Sequence, residues 1–116
     1  MAMTMYGIPN CDTIKKARAF LDANAVAYTF HVYKKQGVPP DALAHWVERL
    51  GWEPLLNRRG PTWRKLDPGV QATVQDAASA QAVMRANASV IKRPVLVFGD
   101  ELLVGFDPEK WARHFG

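Results

Sequence analysis

Met3-Thr4-Met5-Tyr6-Gly7-Ile8-Pro9-Asn10-Cys11-Asp12-Thr13-Ile14-Lys15-Lys16 decides the fold. Met3 to Tyr6 are strand formers, and Gly7 and Pro9 end the strand. Asn10 is a good N-cap for a helix starting at or next to Cys11. Within that helix Ile14, Ala17, Leu21 and Asn24 share one face at helical spacing, with Phe20 alongside. From Val26 to Tyr33 the alternation Val26, Tyr28, Phe30, Val32 predicts a second strand. A strand, a helix of three turns and another strand normally form a right-handed crossover between parallel neighbours.

Outward from this unit the pattern turns helical, then back to strand. Pro39-Pro40-Asp41 opens a helix with Leu43, Trp46, Val47 and Leu50 on its apolar face, closed by Gly51. Short turns follow from Trp52 to Leu66. Two further helices are expected near Val70–Asp76 and Ser79–Ala86, the second capped by Ser79. Pro94-Val95-Leu96-Val97-Phe98 and Glu101-Leu102-Leu103-Val104 flank a Gly99-Asp100 hairpin turn. Asp107-Pro108-Glu109 starts a closing helix bearing Trp111 and Phe115. The string is β-α-β, a helical block, then β-β-α. It predicts an α/β, thioredoxin-like fold: a four-stranded mixed sheet, helices on both faces, and a helical insertion between strands 2 and 3. The expectation is one domain, residues 1–116, with the insertion at roughly 38–88.

Composition narrows the function. At 116 residues, 48% of them hydrophobic, the chain is long enough for one cored domain. It contains one cysteine, Cys11, so an internal disulfide, a CxxC pair and a cysteine-rich zinc site are excluded. No secretory leader or membrane-length apolar run is visible, which predicts a soluble, cytoplasmic protein. Lys and Arg number 15 against 11 Asp and Glu, a net charge of +4. The excess is concentrated between Asn57 and Arg93, where Arg58, Arg59, Arg64, Lys65, Arg85, Lys92 and Arg93 face only Asp67 and Asp76. No helix-turn-helix or stacking platform accompanies it, so nucleic acid is not the expected partner. His31, His45 and His114 lack metal-site spacing, and no metal is expected.

Chemistry concentrates at Cys11. A cysteine at a helix start meets unpaired N–H groups and the positive end of the dipole, which favour thiolate over thiol. Lys15 and Lys16, one turn on, add positive potential. A thiolate attacks disulfides, sulfenates or oxyanions. The C-x5-R oxyanion loop is absent, because Ala17 stands six residues after Cys11. Position 14 is Ile14, so any mixed disulfide on Cys11 must be resolved by an outside thiol. Arg58, Arg59 and Arg93 are candidates for carboxylate or oxyanion contacts, since a planar guanidinium suits both.

Three stretches carry a family resemblance: Tyr6 to Ala17, Leu55-Leu56-Asn57-Arg58-Arg59-Gly60-Pro61-Thr62-Trp63-Arg64-Lys65-Leu66, and Ile91-Lys92-Arg93-Pro94-Val95-Leu96. In order and spacing they resemble the arsenate reductase (ArsC) family of thioredoxin fold. The Asn-Cys-Asp-Thr run is most similar to its YffB-like branch, and the Spx-type regulators of RNA polymerase form a sister branch. The resemblance implies a nucleophilic Cys11 and a basic pocket including Arg59 and Arg93, and Asn10, Thr13 and Lys15 around the helix start are the further candidates for stabilising its charge. It also implies a cis peptide at Arg93-Pro94, with glutathione held by Arg59, Arg93 and Pro94. No tightly bound cofactor is implied. Glutathione or another small thiol would be co-substrate, with glutaredoxin as a further partner. The family's arsenate reductases carry a third arginine where this chain has Gly105. The function so implied is a glutathione-dependent thiol oxidoreductase with a single nucleophilic cysteine. Arsenate reduction and non-catalytic RNA polymerase binding are the alternatives.

Overall fold

A computed structural model describes residues 2–115. They form two compact units: one of the chain's two ends, up to Lys35 and from Arg93, the other of Gln36–Lys92.

The first unit holds the sheet. Strands β1 (Met3–Gly7), β2 (Thr29–Val32), β3 (Val95–Phe98) and β4 (Glu101–Val104) stand in the order β2-β1-β3-β4. β1 pairs parallel to β2, with Thr4 opposite Thr29 and Gly7 opposite Val32, and antiparallel to β3, with Tyr6 opposite Val95. β3 and β4 form the expected hairpin. Helix α1 (Asp12–Ala23) is the crossover, and α7 (Pro108–Phe115) closes the chain. Asp107 caps α7, its Oδ1 accepting from the N–H groups of Glu109 and Lys110.

Period two in the strands and 3.6 in the helices build one core. Met3, Met5, Leu96, Phe98 and Leu103 from the strands meet Ile14, Ala17 and Leu21 of α1 and Trp111 of α7. Phe20 and Phe106 meet Trp111 edge to face, with centroids 6.1 and 4.8 Å away. α1 and α7 therefore join one core with the Met5 side of the sheet. The alternation shows which residues face inward, but not which helix takes which side.

β2 is shorter than the alternation implied. β1 offers pairing partners only from Thr4 to Gly7, so the ladder begins at Thr29. Before it, Ala25 takes φ 54° and the N–H of Val26 bonds back to the carbonyl of Leu21, which closes α1. After it, Tyr33 opens a helical turn, α2 (Tyr33–Gln36), rather than ending the strand.

The second unit is helical: α3 (Pro40–Leu50), α4 (Pro61–Lys65), α5 (Pro68–Ala72), α6 (Ala77–Ala86) and a 3-10 turn at Ala88–Val90. Leu43, Trp46 and Val47 of α3 and Ala80, Val83 and Met84 of α6 are buried. α6 is capped by Asp76, not Ser79. Ser79 stands at the third helical position, its N–H donating to Asp76 Oδ1 while its Oγ accepts from the Asp76 N–H, a capping box. The carboxylate is the better first-turn acceptor, and Ser79 completes the pair. The segment near Leu56 and Ile91 is joined by a bridge, with the Lys92 N–H on the Leu55 carbonyl at 2.7 Å. Among the described residues no helix is long and apolar enough to cross a membrane.

Trp111 is fully buried at the centre of the first unit's aromatic cluster. Trp111→Ala is expected to cost about 3–5 kcal/mol of stability, read as a lowered chemical-denaturation midpoint.

Candidate functional site

Cys11 is itself the N-cap of α1, with φ −143° and ψ 126°. Asn10, expected in that role, is exposed in the preceding turn. The turn is tight because Gly7 lies under the helix: a Cβ there would come within 2.5 Å of Ile14 Cδ1. The helix start is thus pressed onto the end of β1, and Cys11 follows at the C-terminal end of that inner strand. Its carbonyl accepts from the N–H of Lys15 at 2.9 Å, closing the first turn. Its thiol forms no regular cap bond, yet the N–H groups of Ile14 and Thr13 face the sulfur. These are donors that no earlier turn can satisfy.

Arg93 completes the site. It precedes β3 through a cis peptide to Pro94, as the resemblance implied. The Pro94 carbonyl accepts from the N–H of Gly105 at 2.8 Å, which ties this loop to the end of β4. From there the Arg93 guanidinium donates to the Cys11 sulfur. Burial pushes the thiol pKa up. The Ile14 N–H, the hydrogen bond and charge of Arg93, and the Thr13 N–H together push it further down, so the thiol lies below its ordinary value.

Around this pair lies an aromatic group that the sequence reading passed over. Tyr6 and His31 are ladder partners on β1 and β2, with ring centroids 4.8 Å apart. Tyr33 stacks on Tyr6 at 6.3 Å and meets His31 at 5.9 Å. The Tyr33 ring is buried, its phenol pKa is pushed far up by burial and by Tyr6, and Arg93 acts on it in the opposite direction. The signal was present in the alternation, since a residue at the end of a strand parallel to β1 must lie near the end of β1.

The structure therefore brings together Cys11, the Thr13 backbone and Arg93, with Pro94 setting the Arg93 loop. Lys15 contributes its backbone, and its side chain is exposed. Arg59 belongs to the second unit and lines a different feature there: a cleft of about 400 Å³ with Arg58, Lys92, Asn57 and Glu53 on its walls. Arg58 lies over the Trp52 ring, 5.1 Å from its centroid, and the Arg59 N–H donates to Asn57 Oδ1 at 3.2 Å. The cleft is basic, which suits carboxylate or phosphate groups. Among the described residues there is no group of three or more His, Cys, Asp or Glu side chains placed to hold a metal ion.

Comparison with known proteins follows the same lines. The model of the ArsC family matches residues 6–114. A solved structure, the YffB protein, is 46% identical with a TM-score of 0.94, covering 99% of this chain and 100% of that one. An uncharacterised protein of Haemophilus influenzae is 34% identical over 97% of this chain and 98% of its own length. A global transcriptional regulator Spx of Staphylococcus saprophyticus is 23% identical over 96% of this chain and 85% of its own.

Iodoacetamide alkylation of Cys11, followed against pH, is expected to show a midpoint below that of an ordinary thiol. Arg93→Ala removes one charge and one donor but leaves the helix N–H groups. Its midpoint should move up toward the ordinary value, with several-fold slower alkylation at mildly acidic pH. An unchanged profile in the variant would remove Arg93 from the thiolate's support.

Proposed function

The chain belongs to the ArsC family, and on that premise we propose that it is a glutathione-dependent thiol oxidoreductase working through one nucleophilic cysteine. The observation that carries this reading is the setting of Cys11: the Thr13 and Ile14 N–H groups and the Arg93 guanidinium on the sulfur of the chain's single cysteine. Such a thiolate is a competent attacker of an oxidised sulfur. Attack forms a mixed disulfide and expels a thiolate. With no second cysteine in the chain, glutathione or another small thiol must release the product, and glutaredoxin would serve as a further reductant. Developing charge on the sulfur is met by Arg93 and the helix N–H groups. Asn10 and Lys15, at the mouth of the turn, add polar surface for the incoming thiol. Arg59, in its basic cleft, would hold a carboxylate of glutathione.

Arsenate reduction is less well supported. The place where the family's arsenate reductases carry a third arginine holds Gly105, at φ 79°. A side chain at that backbone conformation is strained, so the position is closed to arginine by the turn as well as by the sequence. Polymerase binding without catalysis, the Spx-type alternative, leaves the tuned Cys11 unexplained.

Incubation with oxidised glutathione followed by intact mass should show one glutathione adduct, reversible by dithiothreitol and absent from Cys11→Ser. The same substitution should abolish thiol-transfer turnover while the melting transition persists. Arg59→Ala should raise KM for glutathione roughly tenfold with kcat little changed, the pattern of lost uniform binding. Turnover of arsenate well above the Cys11→Ser background, in a coupled glutathione and glutaredoxin assay, would replace this reading with the arsenate one. Absence of any adduct would reject thiol exchange.

A further inference from the structure

Tyr33 is 3% exposed, and its hydroxyl has no hydrogen-bond partner. A buried hydroxyl that bonds to nothing weakens the folded state, and a phenylalanine would fill the same space without that cost. The Tyr6 ring stacked on it and the His31 ring set edge-on to it explain why an aromatic ring is present there, but not why it carries an oxygen. Two groups act electrostatically on that phenol, Tyr6 and Arg93, and of these Arg93 is the cation and the residue that faces Cys11.

The thiol cycle changes what Arg93 faces. The Cys11 thiolate attacks one sulfur of a small disulfide. A new S–S bond forms at Cys11, the old one breaks, and the leaving half departs as a thiolate with the electron pair. Cys11 is then a neutral disulfide sulfur. The half-buried guanidinium of Arg93 has lost its anion, and an acceptor nearby becomes worth a charge-assisted hydrogen bond.

We propose that Tyr33 is a positioning residue of this cycle: its hydroxyl oxygen accepts a hydrogen bond from Arg93 once Cys11 has become a mixed disulfide. The neutral phenol does this through a lone pair and needs no proton transfer. In the reduced protein Arg93 stays on the thiolate and the hydroxyl is held in reserve, which is the arrangement seen. This rests on the thiol-exchange reading above and adds to it a residue with no contact to substrate.

The test is Tyr33→Phe, compared with the wild type at equilibrium with mixtures of oxidised and reduced glutathione and read as the adduct fraction by intact mass. The variant's equilibrium constant for adduct formation should fall roughly tenfold, the size of one hydrogen bond to a charged group. The reduced variant should melt no lower than the wild type, and its Cys11 alkylation profile against pH should be unchanged. An equilibrium constant within about twofold of wild type overturns the role of Tyr33 and leaves thiol exchange standing. A displaced alkylation profile in the reduced variant overturns it too, because Tyr33 would then shape the resting site. A wild-type chain that forms no adduct rejects thiol exchange itself, and this proposal with it.

Discussion

β1 is the strand on which the first unit is assembled, and its two ladders constrain nearly everything near Cys11. One edge takes β2 in parallel and the other takes β3 antiparallel. Its inward residues, Met3 and Met5, seat α1 and α7 in a single core. Its last residue, Gly7, lets α1 begin almost at once. Cys11 follows β1 in the chain, Tyr33 follows β2, and Arg93 precedes β3. The three lie at the ends of neighbouring strands, although they are far apart in sequence.

The thiolate's support comes from two sources of different physical kind. The N–H groups of Thr13 and Ile14 belong to any helix start and are present by geometry. The Arg93 charge is long-range in sequence and depends on the loop that the Pro94 carbonyl and the Gly105 N–H tie together. Desolvation opposes both, and the balance still leaves the thiol below its ordinary value. A single cysteine so placed suits exchange chemistry with an external thiol, because no internal one competes for it.

The aromatic group beside this site shows how a stability cost can point to function. Most buried hydroxyls are satisfied, so the unsatisfied hydroxyl of Tyr33 calls for a state in which it is satisfied.

Much of this was legible before any coordinates. The helix start at Cys11, the parallel β1–β2 crossover, the β3–β4 hairpin and the Trp111 helix all follow from local residue preferences and periodicity. These are properties of neighbouring residues, so the chain alone determined them, along with the fact that only one thiol exists to react. Other features were set by pairing and packing at a distance. β1 ran out of partners and shortened β2, turning Tyr33 into the start of a helical turn. α1 and α7 joined the same core. The encounter of Arg93 with Cys11 was decided only by the tertiary structure, since no local rule relates residues that only the sheet brings together.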